Sequence, residues 1–314
     1  MTRSNLLKPT RRQFLQVAAV GLATLPHVAA AAQAPVPASP DRNAPSDLVA
    51  ILNDTHIGEE HGPSHPHPAN LRAAVARLLA LPQRPAAVII NGDLAFKVGK
   101  SGDYQKFIPL IAPLREAGLP VHLTLGNHDD REAFLRAFPG EHSASRFKEH
   151  RHNTVIDLPS VRLLLLDSLK EVPATPGLLG PEQSAWLLQQ VDGSPQKPVV
   201  VVAHHNPTIG GDPLHYPGGI VDTAAFWPDL VRRPQVKGFI HGHIHDWNLA
   251  LHSGIHIINT LATSMVGNKA VSTTGWTLAH FQRTGVELEI ETNLPDHPWN
   301  GERKWLFWRQ SIRT

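Results

Sequence analysis

Beyond residue 46 the chain alternates between two spacings of apolar residues. Short apolar runs of strand length occupy residues 48–53, 87–91, 121–125, 162–167, 199–203, 236–241, 255–259, 276–281 and 286–291. Between them, apolar residues recur at helical spacing over 70–81, 104–117, 131–138, 181–191 and 223–231. The segment at 181 opens on Pro181, where a missing N–H costs nothing, and then places Ala185, Leu188 and Val191 on one face. Strands alternating with helices predict an α/β sheet architecture in a single domain over residues 47–292. From Leu294 onward the chain turns polar with scattered tryptophans, so residues 293–314 read as a C-terminal extension draped on the domain. Its Trp299, Trp305, Phe307 and Trp308 are expected to pack on the sheet rather than stack on a ligand.

The first 46 residues obey neither spacing. Arg11 and Arg12, followed by Gln13, Phe14 and Leu15, read as a twin-arginine (Tat) export signal. The weakly apolar stretch over 14–25 is shorter than the roughly 20 residues a bilayer crossing needs, so no stable membrane anchor is expected. Small residues between Ala29 and Ala34 suit cleavage, giving a signal peptide over 1–34 and a Pro-rich linker over 35–46. The plainer alternative is a buried N-terminal helix carrying two chance arginines. The expected location is the periplasm or beyond, with the Tat machinery as the export partner.

Charge and composition narrow the chemistry. A pI near 9.0 suggests a nucleic-acid partner, but the leader carries Arg3, Lys8, Arg11 and Arg12 and no acid. Removing it leaves 25 basic against 27 acidic residues, so no nucleic acid is expected. Cysteine is absent, which excludes disulfides, thiolate metal sites and a cysteine nucleophile. Any metal must then be held by nitrogen and oxygen donors, and the chain has 20 histidines. Neither a G-x-S-x-G nor a G-x-x-x-x-G-K-[ST] pattern occurs, which sets aside α/β-hydrolase triads and P-loop enzymes.

Five motifs stand where predicted strands end. They are Asn53-Asp54-Thr55-His56, Asn91-Gly92-Asp93, Gly126-Asn127-His128-Asp129-Asp130, His204-His205-Asn206-Pro207 and Gly242-His243-Ile244-His245. Each alone has a plain structural reading, as a turn, a strand cap or a chance pair. Their joint occurrence does not, because the carboxyl ends of strands in an open α/β sheet converge on one crevice. Asp54, His56, Asp93, Asn127, His204, His243 and His245 would meet there, a donor set suited to two divalent cations with one carboxylate between them.

This set resembles the calcineurin-like metallophosphoesterases, whose pattern is D-x-H, G-D, G-N-H-[DE], H and G-H-x-H, over roughly residues 48–260. Gly126 to Arg131, Leu166-Asp167-Ser168 and the stretch over 180–187 are further similar to the class III cyclic nucleotide phosphodiesterases. The resemblance implies a four-layer α/β/β/α sandwich. It also implies a first metal on Asp54, His56 and His245, Asp93 as the bridge, and a second metal on Asn127, His204 and His243. His204 is preferred to His205 because it lies nearer the strand. His128 is implied beside the leaving group rather than on a metal. The metals would be manganese, iron or zinc, and a hydroxide between them would attack the phosphorus of a small phosphoester substrate. Phosphodiesters, cyclic nucleotides or glycerophosphodiesters among them, are the leading substrate class. The alternatives are a broad-specificity phosphomonoesterase of the same fold and a non-catalytic binding module.

Two local features stand apart. Many relatives carry an acid or amide three residues after the bridging Asp, where it orients the histidine corresponding to His128. Here that position is Phe96, so the expectation is that Asp129 or Asp130 orients His128, or that its ring is held more loosely. The run from His61 to Pro68 (HGPSHPHP) reads as an ordinary Pro-rich loop, with a lip over the metals as the functional alternative. Replacing Arg11 and Arg12 together by Lys is expected to leave the precursor in the cytoplasm, measured by fractionation of expressing cells. Undiminished export of the double variant would contradict the twin-arginine reading.

Overall fold

Alternation within the strands decides the layering. In β1 (Asp47–Asn53), Leu48, Ala50 and Leu52 face one core while Val49 and Ile51 face another. In β6 (Val199–Ala203), Val200 and Val202 share the core of Val49 and Ile51, and Val199, Val201 and Ala203 line a third. Strands buried on both faces read as continuous apolar runs, which is why they were legible without a polar alternation.

The computed structural model describes residues 47–141, 151–209, 218–267, 270 and 272–310. The leader and linker expected over residues 1–46 lie outside them. One six-stranded sheet runs in the order β12 (Arg303–Phe307), β11 (Gly285–Thr292), β10 (Gly275–Gln282), β1, β2 (Ala87–Asn91) and β3 (Val121–Thr124). The other runs β4 (Thr154–Asp157), β5 (Arg162–Leu166), β6, β7 (Val236–His241), β9 (Ile255–Asn259) and β8 (Asn248–His252). The central core holds residues of both sheets, so the sheets pack face to face. Helices α1 (Pro66–Leu79), α2 (Ser101–Glu116) and α3 (Arg131–Ala137) cover the first sheet through Leu71, Phe107, Leu114 and Phe134. Helices α4 (Gly180–Asp192) and α5 (Thr223–Val231) cover the second through Leu187, Phe226 and Leu230. This is the expected α/β/β/α sandwich.

Departures from the sequence reading concentrate at edges. β4, β8 and β12 were not anticipated, and each is a sheet edge with half-exposed residues and no full apolar run. β12 corrects the view of residues 293–314 as a draped extension, since it pairs antiparallel with β11 over Arg303–Phe307. Trp308 is buried in the central core, as expected, and donates its indole N–H to the Gln282 carbonyl at 3.0 Å. α1 starts four residues earlier than its apolar periodicity, because the His65 side chain caps it and Pro66 fits its first turn.

β1, β2 and β3 are parallel, as are β5, β6, β7 and β9, so seven strands deliver their carboxyl ends to related edges. A buried amide relay joins the two sheets there. Thr124 donates its hydroxyl to Asn91 Oδ1 at 2.8 Å, and Asn91 Nδ2 donates to Asn53 Oδ1 at 3.0 Å and to the Ala203 carbonyl at 3.1 Å. Asn53 Nδ2 in turn donates to Thr260 Oγ1 at 2.6 Å and the Leu261 carbonyl at 3.1 Å. Asn53, Asn91 and Thr124 are fully buried, so any broken link leaves a polar atom dry. Asn91→Leu keeps the volume but strips three buried partners. A loss of about 3 kcal/mol is expected, seen as a melting temperature lower by about 6–12 °C. An unchanged melting temperature would show that the relay does not hold the sheets.

Candidate metal centre

The backbone continues past the strand ends in a laced arrangement. Asp54 N–H donates to the Gly92 carbonyl at 3.2 Å, His56 N–H to the Asp93 carbonyl at 2.8 Å, and Gly242 N–H to the His204 carbonyl at 3.1 Å. Asp54, His56, Asp93, His243 and His245 all take the left-handed conformation, with φ of 52°, 44°, 47°, 68° and 56°. Each such residue costs about 1–3 kcal/mol and persists only where its surroundings impose it. Here the strain turns successive side chains into the same crevice. Two motif glycines are demanded by contact. A Cβ at Gly92 would lie 2.4 Å from His204 Nδ1, and one at Gly126 would lie 2.2 Å from Asp93 Oδ1.

The polar atoms that result are close together. His245 Nε2 lies 3.1 Å from both Asp54 Oδ1 and His56 Nε2, and His56 Nε2 lies 3.7 Å from Asp93 Oδ2. Asp54, His56, Asp93 and His245 thus form one group able to hold a cation. His204, His205 and His243 form another, and His204 Nε2 connects the two at 3.3 Å from Asp93 Oδ2 and 3.2 Å from His243 Nδ1. His204 Nδ1 is held by the Asn91 carbonyl at 3.2 Å, which ties the sheet relay to the site. His205 turns to Ser168, its Nδ1 lying 2.8 Å from the hydroxyl. The geometry therefore favours His204 as the donor shared with Asp93.

Asn127 provides the test of fit. Its Oδ1 is buried and has no hydrogen-bond partner among the described residues. A buried carbonyl oxygen left dry is costly unless something positive meets it. With two carboxylates, four imidazoles and this oxygen, the donor set suits two borderline or hard divalent cations.

Electrostatics agree. Burial dominates at His56 and His243 and, with neighbouring imidazoles adding to it, holds each ring down to about 3. At His204 burial is outweighed by the Asp93 and Asp54 carboxylates, and the ring is raised to about 9. His245 is likewise raised against burial by Asp54. Against their own burial, Asp54 is lowered chiefly by His245 and Asp93 chiefly by His204. Two dry carboxylates thus call for positive charge between the rings, which is what a cation site requires.

The histidine after Asn127 is placed differently. The His128 ring lies 5.3 Å from that of His56, and its Nδ1 sits 2.6 Å from the Lys97 carbonyl. That carbonyl, not Asp129 or Asp130, orients the ring. Asp129 faces inward, where it accepts from the amides of Leu94, Ala95 and Gly126 and from the Tyr104 hydroxyl, at 2.9–3.1 Å. Asp130 caps α3 by accepting from Ala133 N–H at 2.7 Å. Phe96 instead packs 4.7 Å from the His61 ring and 5.8 Å from the His67 ring. Lys97 is itself left-handed at φ 61°, a turn that aims its carbonyl and that no side-chain pattern announces.

Further residues support the site without having been singled out for it. Asn53 and Asn91 carried a signal, since each stands just before a motif acid in Asn-Asp and Asn-Gly-Asp. The segments similar to class III phosphodiesterases form one network. Arg131 grips Asp167 with two bonds at 2.7 and 3.0 Å, and Gln183 bonds the Asp167 N–H and carbonyl at 3.1 and 2.8 Å.

Comparison with known proteins agrees with this architecture. Residues 48–247 match the family described as calcineurin-like phosphoesterase. The chain is 29% identical to the 3',5'-cyclic adenosine monophosphate phosphodiesterase of Pseudomonas aeruginosa, over 64% of this chain and 70% of that protein. It is 28% identical to a glycerophosphodiester phosphodiesterase of Enterobacter lignolyticus, over 69% of this chain and 77% of that one. Its fold superposes on a dimetal phosphatase from Danio rerio with a TM-score of 0.63, at 16% identity, covering 83% of this chain and 99% of that structure. With the five motifs gathered at the strand ends of this sandwich, the chain belongs to the calcineurin-like phosphoesterase family, as a hydrolase acting on phosphoric ester bonds.

Proposed function

We propose that this chain is an exported phosphodiesterase that works with two divalent cations. The observation that carries the reading is the dry Asn127 Oδ1 beside a crevice where Asp54, His56, Asp93, His204, His243 and His245 converge. One cation would be held by Asp54, His56 and His245, the other by Asn127, His204 and His243, with Asp93 shared. Manganese, iron or zinc would suit these donors. When bound, such a pair polarises a phosphoryl group and acidifies water.

The chain's own residues supply the remaining chemistry. Nδ1–H of His128 is fixed on the Lys97 carbonyl, so its Nε2 is the atom left to hold a proton. A proton there is well placed for the departing oxygen of an alkyl ester, which leaves poorly as an alkoxide. His128 is partly exposed whereas Asp54 and His204 are fully buried, so substrate approaches from the His128, His243 and His245 side. A diester substrate is supported by the activities named for the relatives, cyclic nucleotide and glycerophosphodiester hydrolysis. Among these, an exported enzyme would meet extracellular nucleotides and glycerophosphodiesters rather than cytoplasmic messengers.

The test is a panel of cyclic nucleotides, glycerophosphodiesters, nitrophenyl diesters and monoesters on metal-reconstituted protein. Diesters are expected to exceed monoesters in kcat/KM by at least about tenfold. Monoesters turning over as well as diesters would overturn the proposal in favour of a broad phosphomonoesterase. In the same assay Asp93→Ala is expected to lose bound metal and hydrolysis together. His128→Ala is expected to keep its metal but to slow alkyl esters by roughly 10²–10⁴-fold and nitrophenyl esters much less. Full metal content in the Asp93 variant, or equal slowing of both ester types in the His128 variant, would contradict these roles.

A further inference from the structure

Beside the catalytic crevice lies a second histidine cluster that the proposed activity does not use. One nitrogen from each of His61, His65 and His67 falls within 4.8 Å of the other two. The His61 and His65 rings stack at 3.8 Å and 4°. The His67 ring stands nearly perpendicular to both, at 4.9 Å and 89° from His61 and at 4.7 Å and 87° from His65. Three imidazoles drawn from seven consecutive residues are brought this close by a chain that Pro63, Pro66 and Pro68 stiffen. Each proline fixes φ, so little freedom remains to be lost when a ligand arrives.

The supports of the three rings differ. His67 Nδ1 lies 2.9 Å from the carbonyl of His56 and donates to it, leaving the Nε2 lone pair unengaged by that bond. A ligating histidine is commonly fixed in this way, with its second nitrogen donating to a carbonyl. His61 Nδ1 accepts from Gly58 N–H at 3.0 Å, and His65 Nδ1 accepts from His67 N–H at 3.3 Å. These two rings must trade their amide contacts for a cation, by turning over or by releasing the amide, which makes the site weaker than the catalytic pair. Burial and the neighbouring imidazoles also hold His61 down to about 4, so its ring is neutral at physiological pH. Phe96 packs against His61 and His67 and gives one side of the cluster an apolar wall.

We propose that His61, His65 and His67 form a third, accessory cation site, which takes zinc or a similar late divalent ion and clamps the 61–65 turn and the first turn of α1 to the backbone of His56. Three imidazoles without a carboxylate favour such borderline ions over magnesium, calcium or manganese, which prefer oxygen. A three-histidine set also leaves a fourth position for water, an arrangement zinc accepts. The clamp reaches the catalytic centre through one bond, from His67 to the carbonyl of a residue whose ring lies in that centre.

The experiment counts zinc by plasma mass spectrometry on mature protein saturated with zinc and desalted. The variant is His65→Asn with His67→Asn. Asparagine at 65 can still cap α1, and at 67 its amide can still donate to the His56 carbonyl. The variant is expected to hold one zinc fewer per chain than the wild type, and the same difference is expected when both carry Asp93→Ala. Because the readout is a difference of one ion, it stands whether the catalytic crevice holds two ions, one or none. Should the double variant not fold, His65→Asn alone, at a partly exposed position, is expected to weaken the additional zinc by at least about tenfold. A cobalt-loaded wild type is further expected to show the strong visible absorption of a four-coordinate nitrogen site, absent from the variant. Equal zinc counts in wild type and folded variant, in both backgrounds, would overturn the proposal.

Discussion

The amide of Asn91 is where the two halves of the sandwich are made to agree. Its side chain accepts from Thr124 in the same sheet and donates both to Asn53 and to the Ala203 carbonyl of the facing sheet. Its own carbonyl lies against His204 Nδ1. The apolar core between the sheets is non-directional and would tolerate a small slide of one sheet over the other. Directed hydrogen bonds between dry partners would not, and they sit directly beneath the residues that must meet. The mutual placement of Asp54 and Asp93 from one sheet, and of His204, His243 and His245 from the other, depends on this relay.

Above the relay, several groups are unfavourable when considered singly. Five of the converging site residues, Asp54, His56, Asp93, His243 and His245, are left-handed, two carboxylates are buried together, and Asn127 Oδ1 has no partner among the described residues. A chain selected only for stability would avoid each of them. They share one location, and positive charge in the crevice would offset the last two at once. Strain in the backbone serves the same end, because a left-handed turn is what lets Asp54 and His56, two residues apart, reach one small volume. The membership of the chain in the calcineurin-like phosphoesterases follows from this placement as much as from the motif letters.

Much of this was legible in the sequence for identifiable reasons. Central strands such as Val199–Ala203 are apolar on both faces and announce themselves without context. The edge strands β4, β8 and β12 are short and half-exposed, so their pairing is decided by neighbours distant in sequence. In the site, side-chain donors were visible because their types and spacing carry the chemistry. What orients His128 was not, since a main-chain carbonyl at Lys97 does the work that Asp129 or Asp130 was expected to do. Any residue type would offer that carbonyl, so only the fold reveals it. Phe96 looked like a deficit at His128; in the structure it is the wall of a histidine cluster instead.

In the proposed function the seven donors hold one binuclear centre with Asp93 between its two ions, and anomalous diffraction from crystals of the manganese-loaded protein would show it. Two peaks about 3.5–4 Å apart are predicted, both within coordination distance of the Asp93 carboxylate and one of them at Asn127 Oδ1. A single peak, or two peaks of which only one touches Asp93, would rule out Asp93 as the bridge between two ions.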